Sequence, residues 1–293
     1  MNENAAPVGL VGLGLVGRAL AHRLSLAGRA VLGHDHREEA NAAWAAGGGQ
    51  LAGSLGELGV RCAAVVLAVF DTTGVLEVVE GLQGLLSRGT PQVLLDCSTG
   101  DPDALQALAG RLAQRGVDFI EAPLSGSSRQ IEQGEATMLL GAEPAALRRH
   151  AALLASMATQ RIAVGGAGMG ARAKLATNLV LGLNRAALAE GMVFAQRLGI
   201  APAAFLELVL STPARSDAAL AKGAQMVNGE FAPQSRVHQH LKDVQLMLDQ
   251  AGAVGQRLPL SEAHAALLRG AVEAGDGELD NAAIIRQIRR LNS

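Results

Sequence analysis

The sequence predicts a parallel α/β domain followed by an all-α domain, joined by one long interdomain helix. Three observations carry this reading. Up to Val164, short β-rich apolar runs alternate with longer amphipathic stretches, the pattern of a parallel sheet with crossover helices. A glycine-rich segment, Val164-Gly165-Gly166-Ala167-Gly168-Met169-Gly170, then ends the strand signals. Beyond it, Ala171–Leu198 is a proline-free run rich in Ala and Leu. A helix of that length spans roughly 40 Å at the usual rise. The expected division is 1–166 and 167–293.

In chain order, strands are expected near Val8–Val11, Ala30–His34, Ala63–Ala68, Val93–Asp96, Asp118–Glu121, Thr137–Leu140 and Arg161–Val164. Between them fall helices at Leu15–Ala27, Glu38–Ala46, Thr73–Val79, Pro102–Arg115 and Pro144–Met157. Asp101-Pro102 and Glu143-Pro144 set proline in a first helical turn, where its missing N–H costs nothing. Gly199 supplies a stop for the long helix. Further helices are expected at Pro202–Leu210, Ala218–Val227, Val237–Ala251, Ser261–Ala274 and Asn281–Leu291.

Composition narrows the function. The chain has 293 residues, 49% of them hydrophobic, and 27 acids against 25 Lys plus Arg, a net charge of −2. That argues against a nucleic-acid binder, which carries a basic excess. No apolar run reaches the ~20 residues of a membrane span. Two cysteines, Cys62 and Cys97, build neither a disulfide framework nor a four-thiolate zinc site. Residues 1–7 hold Glu3 and no Lys or Arg, unlike the head of a signal peptide. The expectation is a soluble cytoplasmic protein. The chain contains no tyrosine, so no tyrosine phenol can serve as a proton donor.

Gly12-Leu13-Gly14-Leu15-Val16-Gly17 follows the first strand and opens the first helix. Gly12 permits a tight turn, Gly14 lets a pyrophosphate approach the backbone, and Gly17 allows close helix–sheet packing. The helix N-terminus offers N–H donors and a positive dipole end to phosphates. With Asp35 at the end of the next strand, these residues describe a Rossmann-type dinucleotide site. Asp35 is suited to accept hydrogen bonds from the ribose diol of NAD. Arg37 could grip the 2′-phosphate of NADP, which Asp35 would repel. NAD is therefore the expected cofactor, with NADP the alternative; His36 borders the same position.

Four further segments extend the pattern: Asp96-Cys97-Ser98-Thr99 with Pro102; Glu121-Ala122-Pro123-Leu124-Ser125-Gly126-Ser127; Gly168 through Lys174 and on to Asn178; and Leu241-Lys242-Asp243. In order and spacing the chain resembles the β-hydroxyacid dehydrogenases, the family of 3-hydroxyisobutyrate dehydrogenase, tartronate semialdehyde reductase and glyoxylate/succinic semialdehyde reductase. The resemblance runs from the first strand to the last helix. It departs at Val69-Phe70, where the family often has Leu-Pro, at Gly74, often Asn, and at Ser127, often Gly. Those positions border the nicotinamide and the substrate. The Glu121–Ser127 segment is similar to the glyoxylate/succinic semialdehyde branch, whose members are commonly NADP-dependent.

Reversible hydride transfer at a carbinol carbon needs a cofactor, a proton carrier and a substrate anchor. Lys174 is the candidate carrier; burial and a nearby positive ring lower a lysine pKa from its usual 10.4 or so. Asn178, four residues on, shares its helix face, and the resemblance gives it the role of orienting the ammonium or holding the substrate. The resemblance also implies that Ser125, Gly126 and Ser127 hold the substrate carboxylate and that Thr99 borders the nicotinamide ribose. Lys242 is implied to reach both cofactor and substrate, with Asp243 structural. Cys97 reads as a small buried residue. His238 and His240 could pair on a metal, but no matching ligand cluster accompanies them, so no metal is expected.

The reading is thus an NAD(P)-dependent oxidoreductase of small 3-hydroxy or semialdehyde acids, expected as a homodimer or homotetramer. The alternatives are a catalytically silent dinucleotide sensor or an imine reductase-like enzyme. Both tend to lack the lysine that this chain has at 174.

Overall fold

The computed structural model describes residues 6–291; most of the segment read against a signal peptide, 1–5, lies outside them. The chain divides into two compact units, Met1–Lys174 and Leu175–Ser293.

The first unit alternates strands and helices: β1 (Val8–Val11), α1 (Leu15–Leu26), β2 (Val31–His34), α2 (Glu38–Ala46), β3 (Gln50–Leu51), α3 (Leu55–Arg61), β4 (Ala64–Leu67) and α4 (Thr72–Glu80). It continues with β5 (Val93–Asp96), α5 (Pro102–Gln114), β6 (Asp118–Glu121), β7 (Leu124–Ser125), α6 (Ser128–Gln133), β8 (Thr137–Gly141), α7 (Pro144–Arg149), α8 (Ala151–Met157) and β9 (Gln160–Gly165). Strands β3-β2-β1-β4-β5-β6 lie side by side in that order, all parallel. This is the doubly wound dinucleotide-binding order. At the β6 edge, β8 runs antiparallel to β6 and β7 and parallel to β9.

The central strands β1, β4, β5 and β6 are buried on both faces, as parallel strands covered by crossover helices are. Alternate residues point to opposite layers. Val8, Leu10, Val66 and Leu95 join the layer holding Leu20 and Leu24 of α1. Val11, Val65, Leu67 and Leu94 join Val75 of α4 and Leu105 and Leu108 of α5. Because six strands share one direction, Val11, His34, Leu67, Asp96 and Glu121 end along a single edge of the sheet.

Helix α9 (Met169–Arg197) begins in the first unit and continues into the second. There follow α10 (Pro202–Leu210), α11 (Asp217–Asn228), α12 (Val237–Ala253), α13 (Pro259–Ala271) and α14 (Ile284–Arg290). Their core gathers Leu188 and Met192 of α9 with Met226, Val244, Leu268 and Ile285. The expected α/β-then-α architecture is present, and no described helix is long and apolar enough to cross a membrane.

Several elements depart from expectation. The helix expected over Pro144–Met157 is two helices, because His150 leaves helical geometry (φ −104°, ψ 15°) as its Nε2 meets Asp118 at 2.8 Å. Ser125–Ser127, which lies outside the expected strands and helices, is split between β7 and the cap of α6. The helix expected to reach Ala274 ends at Ala271 and gives way to a π-turn over Val272–Asp276 with Gly275 at φ +84°. Trp44 of α2 packs where Gly33 and Gly49 carry no side chain, and its indole N–H donates to the Gln50 carbonyl at 2.9 Å.

A Cβ on Gly17 would collide with the Gly12 carbonyl oxygen. Gly17→Ala should therefore destabilise the cofactor-free protein by about 1–3 kcal/mol in urea unfolding, the usual range for overpacking a tight contact.

Candidate active site

The glycine-rich turn lies at the end of β1. Gly12 has φ +94°, a conformation closed to most L residues, and its N–H donates to the His34 carbonyl at 2.9 Å. Gly14 is the N-cap of α1, without a side-chain cap and with no acid in the first turn. The first amides of α1 are thus left for an anion, and beyond its chain neighbours no atom lies nearer than Arg37 Nη2, at 3.9 Å, to where a Gly14 Cβ would stand. A bare, open helix start of this kind fits a dinucleotide pyrophosphate, with Leu13, Leu15 and Val16 completing the turn.

Asp35 is only 3% exposed. Its Oδ2 accepts the Leu13 N–H at 2.8 Å, and its Oδ1 accepts the Arg37 N–H at 2.9 Å. The Arg37 guanidinium adds two bonds of 3.1 Å, while His36 Nδ1 lies 3.4 Å from Oδ1 and is largely exposed. Burial raises the Asp35 pKa, but the Arg37 side chain and the Arg37 and Leu13 amides together outweigh it and hold it low. Asp35 stays ionised and braces the turn, a task that its strand-end position alone does not reveal.

The other expected cofactor positions gather after β4 and β5. Val69 N–H donates to Ser98 Oγ at 3.1 Å, and Phe70 beside it is exposed. The Gly74 N–H donates to Asp71, the N-cap of α4, at 2.8 Å. Thr99 follows β5 and is half-buried. Cys97 is buried, and burial pushes its thiol well up, so it is no nucleophile at neutral pH.

Lys174 lies in the second turn of α9 and is 7% exposed. Its Nζ donates to the Leu124 carbonyl at 2.7 Å, which holds the amine against the backbone just before Ser125. Gly126 has φ +152°, and a Cβ there would come 2.8 Å from Ala136 Cβ. Ser127 is more occupied than expected. It caps α6 in a reciprocal box, its N–H donating to Gln130 Oε1 at 2.8 Å and its Oγ accepting the Gln130 N–H at 3.3 Å.

In the second unit, Asn178 Nδ2 donates to Asp243 Oδ2 at 3.1 Å, and Lys242 Nζ meets Asp243 Oδ1 at 3.0 Å. Asp243, expected as structural, draws Asn178 and Lys242 together. Among the described residues, no three His, Cys, Asp or Glu side chains converge as a metal would require. His238 turns to the Gly277 carbonyl and Glu278, and His240 to His264.

Glu121 was missed by the sequence reading, although it opens the Glu121–Ser127 segment. It is buried, and its carboxylate accepts the N–H groups of Gly168 and Ala171, the latter at 2.9 Å. It thus holds the start of α9 one turn before Lys174. Gly141 and Gly170 make room: a Cβ on either would crowd Glu121, at 2.8 Å from Oε2 and 2.7 Å from Cβ respectively. Burial dominates its titration and, with the nearby Asp96 charge, outweighs the amides of Ala171, Gly168 and Gly170, lifting the pKa to about 7.

A doubly wound sheet, an uncapped glycine turn and a buried lysine at the sheet's carboxyl edge define a nicotinamide-dinucleotide oxidoreductase. Residues 7–166 match the NAD binding domain of 6-phosphogluconate dehydrogenase, and residues 168–288 match the NAD-binding domain of NADP-dependent 3-hydroxyisobutyrate dehydrogenase. The chain belongs to the β-hydroxyacid dehydrogenase family. It is 31% identical to the L-threonate dehydrogenase of Cupriavidus necator, over 95% of each chain. It is 29% identical to the 2-(hydroxymethyl)glutarate dehydrogenase of Eubacterium barkeri, over 97% of this chain and 95% of that one. The crystal structure of a 3-hydroxyisobutyrate dehydrogenase from Salmonella typhimurium superposes with a TM-score of 0.86 at 28% identity, covering 96% of this chain and 99% of the other.

The raised Glu121 pKa makes a signed prediction. Between its ordinary 4.5 and about 7, the native protein keeps a proton that the unfolded chain has released, so stability falls as pH rises. The contribution is complete below 4.5 and gone above about 7. In urea unfolding, wild type should lose on the order of 3 kcal/mol relative to Glu121→Gln across that window. Parallel pH profiles would show that another group is responsible.

Proposed function

We propose that this enzyme interconverts a small 3-hydroxy acid and its semialdehyde or oxo acid, with Lys174 as proton carrier. The observation that carries this is the 2.7 Å bond from Lys174 Nζ to the Leu124 carbonyl. It sets a buried amine beside Ser125 and Gly126, at the sheet edge where open α/β folds bind ligands. A bound nicotinamide supplies a hydride acceptor or donor.

In oxidation, the Lys174 amine takes the substrate hydroxyl proton as the carbonyl forms; in reduction it returns that proton to the new alkoxide oxygen. Ser125, Gly126 and Ser127 are assigned to the substrate carboxylate. Ser125 carries the larger share, since the Ser127 hydroxyl and N–H already serve Gln130. The same reading assigns Asn178 and Lys242 to the substrate, with Lys242 also serving the cofactor. Gly12, Leu13, Gly14, Leu15, Val16 and Gly17 are assigned to the pyrophosphate, and Val69, Phe70, Gly74 and Thr99 to the nicotinamide half. NAD is favoured over NADP, because Asp35 keeps its negative charge at the position a 2′-phosphate would meet and already ties up the Arg37 guanidinium. The functional division is 1–166 for cofactor and 167–293 for substrate and assembly. A cytoplasmic setting suits two buried free thiols, Cys62 and Cys97.

Initial rates with NAD and NADP on threonate, 3-hydroxyisobutyrate, glycerate and 4-hydroxybutyrate test this reading. Turnover of one or more acids is expected. Tight cofactor binding with no turnover would instead favour the silent sensor. Lys174→Ala should lower kcat by about 10³-fold while cofactor affinity changes little; equal losses in both would remove its assigned role.

Assembly into a homodimer or homotetramer is part of the same proposal. Val180, Ala187 and Phe194 repeat at seven-residue intervals on α9, all three exposed, with Val180 and Phe194 at 57% and 63%. An apolar stripe of this kind marks an association surface. Light scattering should give a multiple of 30.0 kDa, and Phe194→Glu should lower it; a wild-type monomer would overturn the assembly.

A further inference from the structure

The second unit holds a buried polar cluster that the proposed chemistry does not use. Arg185 stands three residues after Gly182 on α9, hence on the same helix face. It is 5% exposed, and its Nε and Nη1 have no hydrogen-bond partner. Against Gly182 lie His240 of α12 and His264 of α13. A Cβ on Gly182 would come 2.5 Å from His240 Nε2 and 3.0 Å from His264 Cε1. The two rings are 5.1 Å apart and tilted by 55°. His264 is buried, and its Nε2 also has no partner.

Charge in this cluster does not balance. The carboxylate whose field reaches Arg185 is that of Asp280, and its bonds are already taken. Asp280 Oδ2 accepts the buried Lys222 ammonium at 2.8 Å and the N–H groups of Gln234 and Ser235 at 2.9 and 3.2 Å. Its Oδ1 accepts the Ala282 N–H at 3.0 Å. Burial draws the Arg185 pKa down only to about 10, so it remains charged at neutral pH. Burial, with the Arg185 charge, takes His264 to about 4 and keeps it neutral. Two buried cations thus share one carboxylate. An unpaired buried charge is strongly disfavoured, and buried guanidinium donors ordinarily have an acceptor.

We propose that the helical unit binds one small monovalent anion, a halide or a formate-sized carboxylate, at Arg185 Nε and Nη1. Gly182, lacking a side chain, lets the His240 and His264 rings lie against α9, and the His264 imidazole is a neutral wall able to donate one hydrogen bond. The anion would also steady the segment before α12. Asp280, which shares the field of Arg185, takes the Gln234 and Ser235 amides and donates its own N–H to the Phe231 carbonyl at 3.0 Å.

The test is thermal unfolding of the full chain, first in sodium gluconate and then with chloride, bromide or formate replacing gluconate at constant ionic strength. A saturable rise in Tm is expected, about 5 °C at a hundredfold excess over the dissociation constant. The rise should be absent in Arg185→Met, where the unmatched charge is gone. Whichever of the halide and formate arms saturates at lower concentration identifies the class. Should Arg185→Met fail to fold, crystals of the wild type grown in bromide answer separately: an anomalous peak beside Arg185 supports the site, and water alone there overturns it. Equal Tm in all salts, or an identical salt response in wild type and Arg185→Met, would likewise overturn it.

Discussion

The bond between a carboxylate at the end of β6 and the first amides of α9 is the constraint on which the candidate site depends. Glu121 takes the Gly168 and Ala171 N–H groups, which fixes both where the long helix starts and how it is rotated. Rotation matters because Lys174 must face the Leu124 carbonyl, three residues beyond Glu121. One short stretch of chain therefore anchors the helix through a side chain and receives its lysine through a backbone oxygen. Gly141 and Gly170 lie close together against Glu121, and a Cβ on either would collide with the Glu121 side chain or with the other glycine's backbone.

The cofactor end of the sheet follows a similar logic. The glycines of the first turn give space and unpaired amides, but space alone does not hold a turn. Asp35 supplies the tension by accepting the Leu13 N–H while remaining charged. On the proposed cofactor placement, one carboxylate both braces the backbone and bears on cofactor choice. Replacing it to admit a 2′-phosphate would remove the acceptor of the Leu13 N–H and loosen the turn.

The large-scale fold was legible in the sequence because it rests on period. The parallel strands are short apolar runs, the helices are longer and amphipathic, and the glycine run at Gly165–Gly170 marks the change of regime. Elements β3 and β7, at two residues each, are too short to show a period. Helix α6 starts from a Ser127–Gln130 capping box that competes with the ligand role the resemblance suggested. The break at His150 depends on Asp118, 32 residues earlier, which no local window contains. Lys174, Asn178 and Lys242 stood out as polar residues in motifs. Asp243 was read only as structural and Glu121 was given no role, because their work is to hold other groups, and a partner in space leaves no spacing rule in the chain.

Trp44 is the single tryptophan of a chain without tyrosine, and it rests on Gly33 and Gly49 in the first unit. Essentially all the ultraviolet emission of this protein therefore comes from one spot beside β2. Melting of the α-helical half would be optically silent by fluorescence, while circular dichroism would follow it in full. Disagreement between those two signals during denaturation is a built-in gauge of whether the halves come apart together or in turn.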